Sequence, residues 1–276
     1  MSASTVTSPS RSAGTAVVVP LRRPWRWASA GLVLAAVAVL LWSAVTNEQF
    51  QWHVVARYFT SDAVLRGLGL TLWLTALTVV LGFVLGGVLA VMRLSGNPVL
   101  VGVSWGYVWL FRSVPLLVQL LFWFNIGALY PALSGATPVI GPMTSVMIGL
   151  VLHEAAYAAE IVRGGIVSVD AGQTEAALAL GLGRWRLLRR IVLPQAMRSI
   201  VPSAGNMLIG TLKGTSIVSV LAVQDLLYSV QLIYNRNYLI IPLLLVATLW
   251  YVLVTSLLGI GQHYVERYYG RGARLR

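Results

Sequence analysis

The sequence predicts an all-α integral membrane protein with six transmembrane helices. Hydrophobic residues make up 58% of the 276 residues and charged residues only 10%, whereas a soluble domain carries about 25% charged residues. The apolar residues fall in runs about as long as an α-helix needs to cross the hydrocarbon core. Such uniform runs favour helices, because the strands of a membrane barrel alternate apolar and polar residues.

The apolar runs define the predicted spans and their flanking segments. In chain order the spans are Ala28–Val45, Gly67–Met92, Val103–Tyr130, Met143–Val162, Ile200–Val223 and Tyr238–Gln262. The second and third exceed the hydrocarbon thickness, so we expect tilt or extension into the interface. The segment 1–27 is rich in Ser, Thr, Ala and Val without periodicity and predicts a disordered tail. A signal peptide is the alternative for residues 1–45, but the sequence before Asn47 has no good small-residue cleavage site.

The arginine distribution predicts the orientation. With the N-terminus inside, the arginines of 1–27, of the loop 164–199 and of the tail 263–276 all lie inside, whereas the outside loops hold only Arg57, Arg66 and Arg236. This positive-inside bias predicts that both termini are cytoplasmic. The net charge of +12 could also indicate nucleic-acid binding, but basic cytoplasmic loops explain it, so we expect no nucleic-acid partner.

The segment 175–194, EAALALGLGRWRLLRRIVLP, is polar and basic and lies between the fourth and fifth spans. Its Ala and Leu residues favour a short helix, which Gly181 and Gly183 can end in a left-handed turn. Arg184–Val192 predicts a second, basic helix along the membrane surface, and Pro194 is expected to break it. The segment is thus suited to a water-soluble partner, with an interfacial helix that has no partner as the alternative.

Four charged residues fall within predicted spans or at their ends. Glu154 and Lys213 lie near the middle of the fourth and fifth spans, where a charge costs on the order of 3 kcal/mol. They either pair with each other or face a translocation pathway. Glu160 and Arg163, three residues apart, predict an ion pair along one helix face, with substrate contact as the alternative.

Several motifs identify a family resemblance. The pattern Glu-Ala-Ala, three residues, Gly, nine residues, Ile-x-Leu-Pro is met by Glu175, Ala176, Ala177, Gly181, Ile191, Leu193 and Pro194. It resembles the signature loop of permease subunits in ATP-binding-cassette (ABC) importers. The run Ala156–Gly181, AYAAEIVRGGIVSVDAGQTEAALALG, resembles the branch for polar amino acids, the histidine, glutamine, arginine and glutamate importers. Two more motifs of that branch are present, as Lys213, Thr215 and Ser216 and as the run from Phe111 and Arg112 to Gln119.

The resemblance implies a fold, a mechanism and site residues. Residues 67–262 would form the permease core of a type I importer, the span 28–45 would be an addition to it, and 164–199 would be a cytoplasmic coupling loop. The ATPase-docking residues would be Gly172, Gln173, Glu175, Ala176, Ala177 and Gly181. The substrate pathway would include Glu154, Lys213, Thr215, Ser216 and Gln119. Gly214 departs from the family, whose members usually carry Asp there.

The resemblance also implies the partners and the location. These are two ATPase subunits, a second permease copy or paralogue, a substrate-binding protein on the outer side, and lipid of a bacterial cytoplasmic membrane. The chain lacks the phosphate loop GxxxxGK[ST], so we expect it to be no enzyme and to bind no cofactor. The expected substrate is a polar or basic amino acid, with opines or ectoine-like solutes as alternatives.

Two other classes of function make different predictions. An ion-coupled secondary transporter should contain paired repeats with broken helices and no coupling loop. A membrane enzyme needs clustered titratable groups or metal ligands. The three histidines, His53, His153 and His263, lie on different segments without ligand spacing, so we expect no metal site.

Overall fold

The computed structural model describes residues 24–130 and 141–270, and within these ranges every regular element is helical. The α-helices are α1 (Pro24–Thr46), α2 (Trp52–Phe59), α3 (Asp62–Leu94), α4 (Pro98–Ser113), α5 (Leu116–Phe124), α6 (Ile126–Leu129), α7 (Pro142–Val167), α8 (Ala171–Ala179), α9 (Arg184–Leu187), α10 (Leu193–Gly214), α11 (Leu226–Asn237) and α12 (Ile240–Gly270). Residues 24–50 form one compact unit and residues 51–270 a second. Helix α1 begins before Ala28, so residues 24–27 are helical. The rest of the predicted disordered tail lies outside the described residues.

Four described helices are long and apolar enough to cross a membrane by themselves. They contain the segments Ala28–Thr46, Asp62–Leu94, Pro142–Val167 and Ile240–Tyr269. Two bent pairs bring the number to six if each pair is one span: Pro98–Ser113 with Leu116–Phe124, and Arg184–Leu221 with Leu226–Asn237. The last helix reaches Gly270, so the first eight residues of the predicted tail 263–276 continue it.

The predicted span Val103–Tyr130 is not one straight helix, because α4 and α5 meet at a bend of 101°. Pro115 restricts the preceding residue to extended backbone, and Val114 adopts φ −98° and ψ 130°. The Gln119 side chain then stabilises the bend by donating to the carbonyls of Phe111 (2.8 Å) and Val114 (2.7 Å). A run of apolar residues gives no sign of this interruption apart from the proline itself.

The predicted break at Pro194 is wrong. The chain stays helical from Arg184 to Leu221, through a π turn at Leu188–Val192 that leads directly into α10. Pro194 is the second residue of α10 and directly follows this π turn. The basic segment therefore continues directly into the helix of the predicted fifth span and is not a separate helix.

Helices α3 and α7 form the centre of the bundle and pack in parallel. A Cβ at Gly82 would lie 3.2 Å from the Glu154 Cβ, and one at Gly86 would lie 2.6 Å from the Ala158 Cβ. Small residues at this spacing let helix backbones approach closely. The buried apolar residues around α3 fall into three clusters, centred on Val64 and Leu243, on Leu74 and Leu150, and on Leu89 and Val108.

Candidate functional site

Helix α8 follows α7 after a short turn and begins at an acidic N-cap. The Asp170 carboxylate accepts a hydrogen bond of 2.7 Å from the Gly172 N–H, which satisfies one of the free donors at a helix start. The helix runs over Ala171–Ala179. The short helix that the Ala and Leu residues predict before Gly181 is thus formed, and it contains or directly precedes the predicted docking residues 172–181.

A left-handed glycine turn ends α8. Gly181 has φ +76°, the Gly181 N–H donates to the Leu178 carbonyl (2.9 Å) and the Leu182 N–H donates to the Ala177 carbonyl (3.0 Å). These two bonds define a Schellman cap. Gly183 has φ −64° and caps the start of α9, so only one of the two predicted glycines adopts the left-handed conformation.

A small apolar cluster attaches this segment to the ends of the spans. Ala177, Leu187 and Val192 are buried, with Ile166 and Leu182 packed around them. Since Ile166 belongs to α7 and Val192 directly precedes α10, the cluster joins α8 to both helices. Helix α8 is therefore packed against the end of α7 and the start of α10.

The opposite side of α8 is open. Five of the six predicted docking residues are exposed, namely Gly172, Gln173, Glu175, Ala176 and Gly181. The sixth, Ala177, is only 3% exposed, so it holds the helix in place. The exposed side also carries Leu178 and Leu180, the latter 81% exposed. We call this exposed side of residues 172–181 the coupling surface.

Glu160 and Arg163 form an ion pair on the last turns of α7. The Arg163 Nη2 lies 2.8 Å and its Nε 3.3 Å from Glu160 Oε2. Both side chains are partly buried. The predicted pair is thus formed in the structure, and it engages the Glu160 carboxylate with a fork of donors.

Glu154 and Lys213 do not pair with each other within the described chain. Glu154 is partly buried, with its Cβ against Gly82 of α3. The Thr211 side chain of α10 lies near its carboxyl, and the Thr211 hydroxyl donates to the Met207 carbonyl at 2.9 Å. Thr211 and Lys213 are two residues apart, which places them on roughly opposite faces of a helix. Lys213 is exposed and takes part in no ion pair between described residues.

The other predicted pathway residues direct their polar groups at the backbone. Gln119 is 6% exposed, and besides the two carbonyls of the bend its amide lies 3.1 Å from His153 Nδ1. The hydroxyls of Thr215 and Ser216 donate to the carbonyls of Leu212 and Lys213, each at 2.7 Å. Gln119 and Thr215 are buried and stabilise the helices that carry them.

The sequence reasoning missed a buried polar connection between α3 and α11. Asp225 is fully buried and its carboxylate accepts from the Tyr228 N–H at 2.8 Å, as the N-cap of α11. The Thr71 hydroxyl accepts from the Leu226 N–H at 3.0 Å. The sequence indicates this connection only through Asp225, because an Asp directly before an apolar run is typical of a helix start. No cluster of three or more metal-ligating His, Cys, Asp or Glu side chains occurs in 24–130 or 141–270.

Comparison with known proteins identifies the class. Residues 79–270 match the family described as the inner membrane component of binding-protein-dependent transport systems. The chain belongs to this family, whose members are permease subunits of ABC transporters. Such subunits are not enzymes, because the ATPase is a separate subunit, and they work with a substrate-binding protein.

Particular relatives and one solved structure refine the comparison. The arginine transport system permease protein ArgU of Corynebacterium glutamicum is 43% identical over 92% of this chain and 83% of its own length. The glutamate/aspartate import permease protein GltK of Escherichia coli is 35% identical over 79% of this chain and 98% of its own. The crystal structure of an amino acid ABC transporter with histidines superposes with a TM-score of 0.69 at 33% identity, over 75% of this chain and 94% of that one. The fold is therefore that of a type I importer permease.

Proposed function

We propose that this chain imports an amino acid across a bacterial cytoplasmic membrane, driven by ATP that partner ATPase subunits hydrolyse. The observation that carries the proposal is the coupling surface, on an exposed helix that an apolar cluster attaches to α7 and α10 and that ends in a left-handed glycine turn. Membership of the ABC permease family supports the same reading.

The proposed substrate is a polar amino acid, and a basic amino acid is the first candidate. The support is the similarity to the arginine permease, which extends over most of both chains. Within the chain, Lys213 is the proposed pathway group: its exposed ammonium lies on a membrane-spanning helix, where a charge is retained if it faces a cavity or a partner. Its chemistry suits the carboxylate that every amino acid carries. Glu154 is the second proposed pathway group.

The proposed assembly contains two permease chains, identical or paralogous, with two ATPase subunits on the coupling surfaces and a binding protein on the outer side. Closure of the ATPase dimer on ATP would move α8 and, through the apolar cluster, α7 and α10. Both termini and the loop 164–199 would be cytoplasmic, as the arginine distribution favours.

The test is uptake of radiolabelled arginine by cells with and without the gene for this chain. The expected result is ATP-dependent uptake that is lost with the gene and restored by the wild-type chain. Unlabelled glutamate, an opine and ectoine, each in excess, serve as competitors. Unchanged arginine uptake in the deletion strain contradicts the proposed substrate. If an opine or ectoine competes more strongly than unlabelled arginine, that solute is the substrate instead.

A further inference from the structure

A polar cavity distinct from the coupling surface lies where α3, α4 and α7 meet. Its volume is about 340 Å³, within the range of small-molecule sites, roughly 300–1,000 Å³. Its polar and aromatic lining consists mainly of Arg93, Trp105, Trp109, Arg112, Tyr157 and Glu160. Arg93 is the penultimate residue of α3, and Glu160 lies in the last turns of α7. The cavity is therefore close to the ends of two membrane-spanning helices.

The charges of this cavity leave an excess of guanidinium. Its one lining carboxylate, Glu160, is already engaged by Arg163 at 2.8 Å. The Arg93 Nη1 is buried without a hydrogen-bond partner among the described residues. Arg112 lies 5.3 Å from the centre of the Tyr157 ring. A buried N–H donor such as Arg93 Nη1 is unfavourable without an acceptor, and the planar fork of arginine suits phosphate oxygens.

The rim of the cavity is aromatic and apolar. Trp105 and Trp109 stack at 6.2 Å with nearly parallel rings, and they are 54% and 58% exposed. The neighbouring side chains Val103 and Leu110 on α4 are exposed as well. Tryptophans are enriched where head groups meet the hydrocarbon core, and basic pockets between spans bind lipid head groups.

We propose that this cavity binds the phosphate head group of an anionic phospholipid. The guanidiniums of Arg93 and Arg112 bind the phosphate, and the Trp105–Trp109 stack packs on the glycerol and the first acyl carbons. The inference goes beyond the transport function and requires only that the chain is embedded in a membrane.

The first experiment measures phospholipid that stays bound during purification in mild detergent. The variant Arg93→Gln with Arg112→Gln should retain about tenfold less phosphatidylglycerol than the wild type, as expected from the loss of two charge-assisted contacts. The matched control, Arg66→Gln with Arg236→Gln, removes two arginines from a different cavity and should retain the wild-type amount. Equal lipid retention by the two variants overturns the proposal. A changed oligomeric mass of the first variant without loss of lipid also overturns it, because a second chain would then fill the cavity.

A second experiment keeps both arginines in place and distinguishes a lipid site from a site for free phosphate. Phosphatidylglycerol with acyl chains brominated near the glycerol should quench tryptophan fluorescence more than equally brominated phosphatidylcholine. The variant Trp105→Phe with Trp109→Phe should lose this difference, whereas Trp73→Phe, an exposed tryptophan outside the cavity, should keep it. Equal quenching by the two lipids, or full displacement of phosphatidylglycerol by an equal concentration of inorganic phosphate, contradicts a lipid site.

Discussion

At the scale of single residues, Lys213 and Glu154 are charged groups with separate surroundings. The Glu154 carboxyl lies near the Thr211 side chain, whereas Lys213 is exposed. Thr211 and Lys213 lie on roughly opposite faces of α10. Neutralising Glu154 or Lys213 therefore does not break an ion pair between them. This separation makes their roles testable one at a time.

We expect Lys213→Met to lower uptake at least about tenfold, as the loss of one charge-assisted contact with the substrate does. Adding Glu154→Gln should not restore uptake, because no ion pair exists to be relieved. The readouts are uptake in vesicles and copurification of the ATPase, which should be normal. Arg198→Met, an exposed cation on the same helix, is the matched control. Restored uptake in the double variant would show that the two charges balance each other after all.

At the scale of elements, the contact between α3 and α7 depends on the absence of side chains. A Cβ at Gly86 would lie 2.8 Å from the Ala155 carbonyl oxygen and from the Ala159 nitrogen, so backbone has to move to admit it. Gly87, the next residue of the same helix, has nothing within 4 Å of a Cβ. Gly86 is therefore tightly packed and Gly87 is not, although both belong to the same helix.

Gly86→Ala should destabilise the chain by about 1–3 kcal/mol, the usual penalty for overpacking. Gly87→Ala should be neutral or stabilising by up to about 1 kcal/mol, from helix propensity alone. Thermal unfolding of the purified protein in detergent measures both effects. Equal stability of the two variants contradicts the close approach of α3 and α7.

Local sequence signals predicted some elements well and others poorly. The coupling helix and its Gly181 turn were predictable, because helix formers followed by glycine act locally. The Gln119 side chain stabilises the bend at Pro115 by bonding to two carbonyls upstream. The π turn before Pro194 lies beside Leu187 and includes Val192, both buried in the apolar cluster. The burial of Ala177 likewise follows from neighbours in other helices. Such contacts leave little trace in composition or periodicity.

At the scale of the whole molecule, the orientation of the chain in the membrane decides whether the coupling surface faces the cytoplasm, where the ATPase subunits bind ATP. The arginine distribution favours an orientation with the coupling surface and both termini on the inside. The sequence contains no cysteine, so single introduced cysteines report on topology without background.

A cysteine at Ser8 should be shielded from a membrane-impermeant thiol reagent in intact cells, and one at Gln49 should be labelled. Permeabilised cells provide the control, since both positions should then react. Labelling of the Ser8 position alone in intact cells would invert the topology and put the coupling surface outside.

The central claim is that the ATPase docks on the coupling surface, and the Gly181 turn offers the most direct test. Valine at a positive φ is strained, by roughly 1–2 kcal/mol per residue, whereas Gly183 has an ordinary backbone conformation; both glycines have open space around them. The measurement is the amount of ATPase that copurifies with Gly181→Val and with Gly183→Val at equal membrane levels. The account predicts that Gly181→Val retains about fivefold to thirtyfold less ATPase, while Gly183→Val retains the wild-type amount. Wild-type retention by Gly181→Val would contradict it.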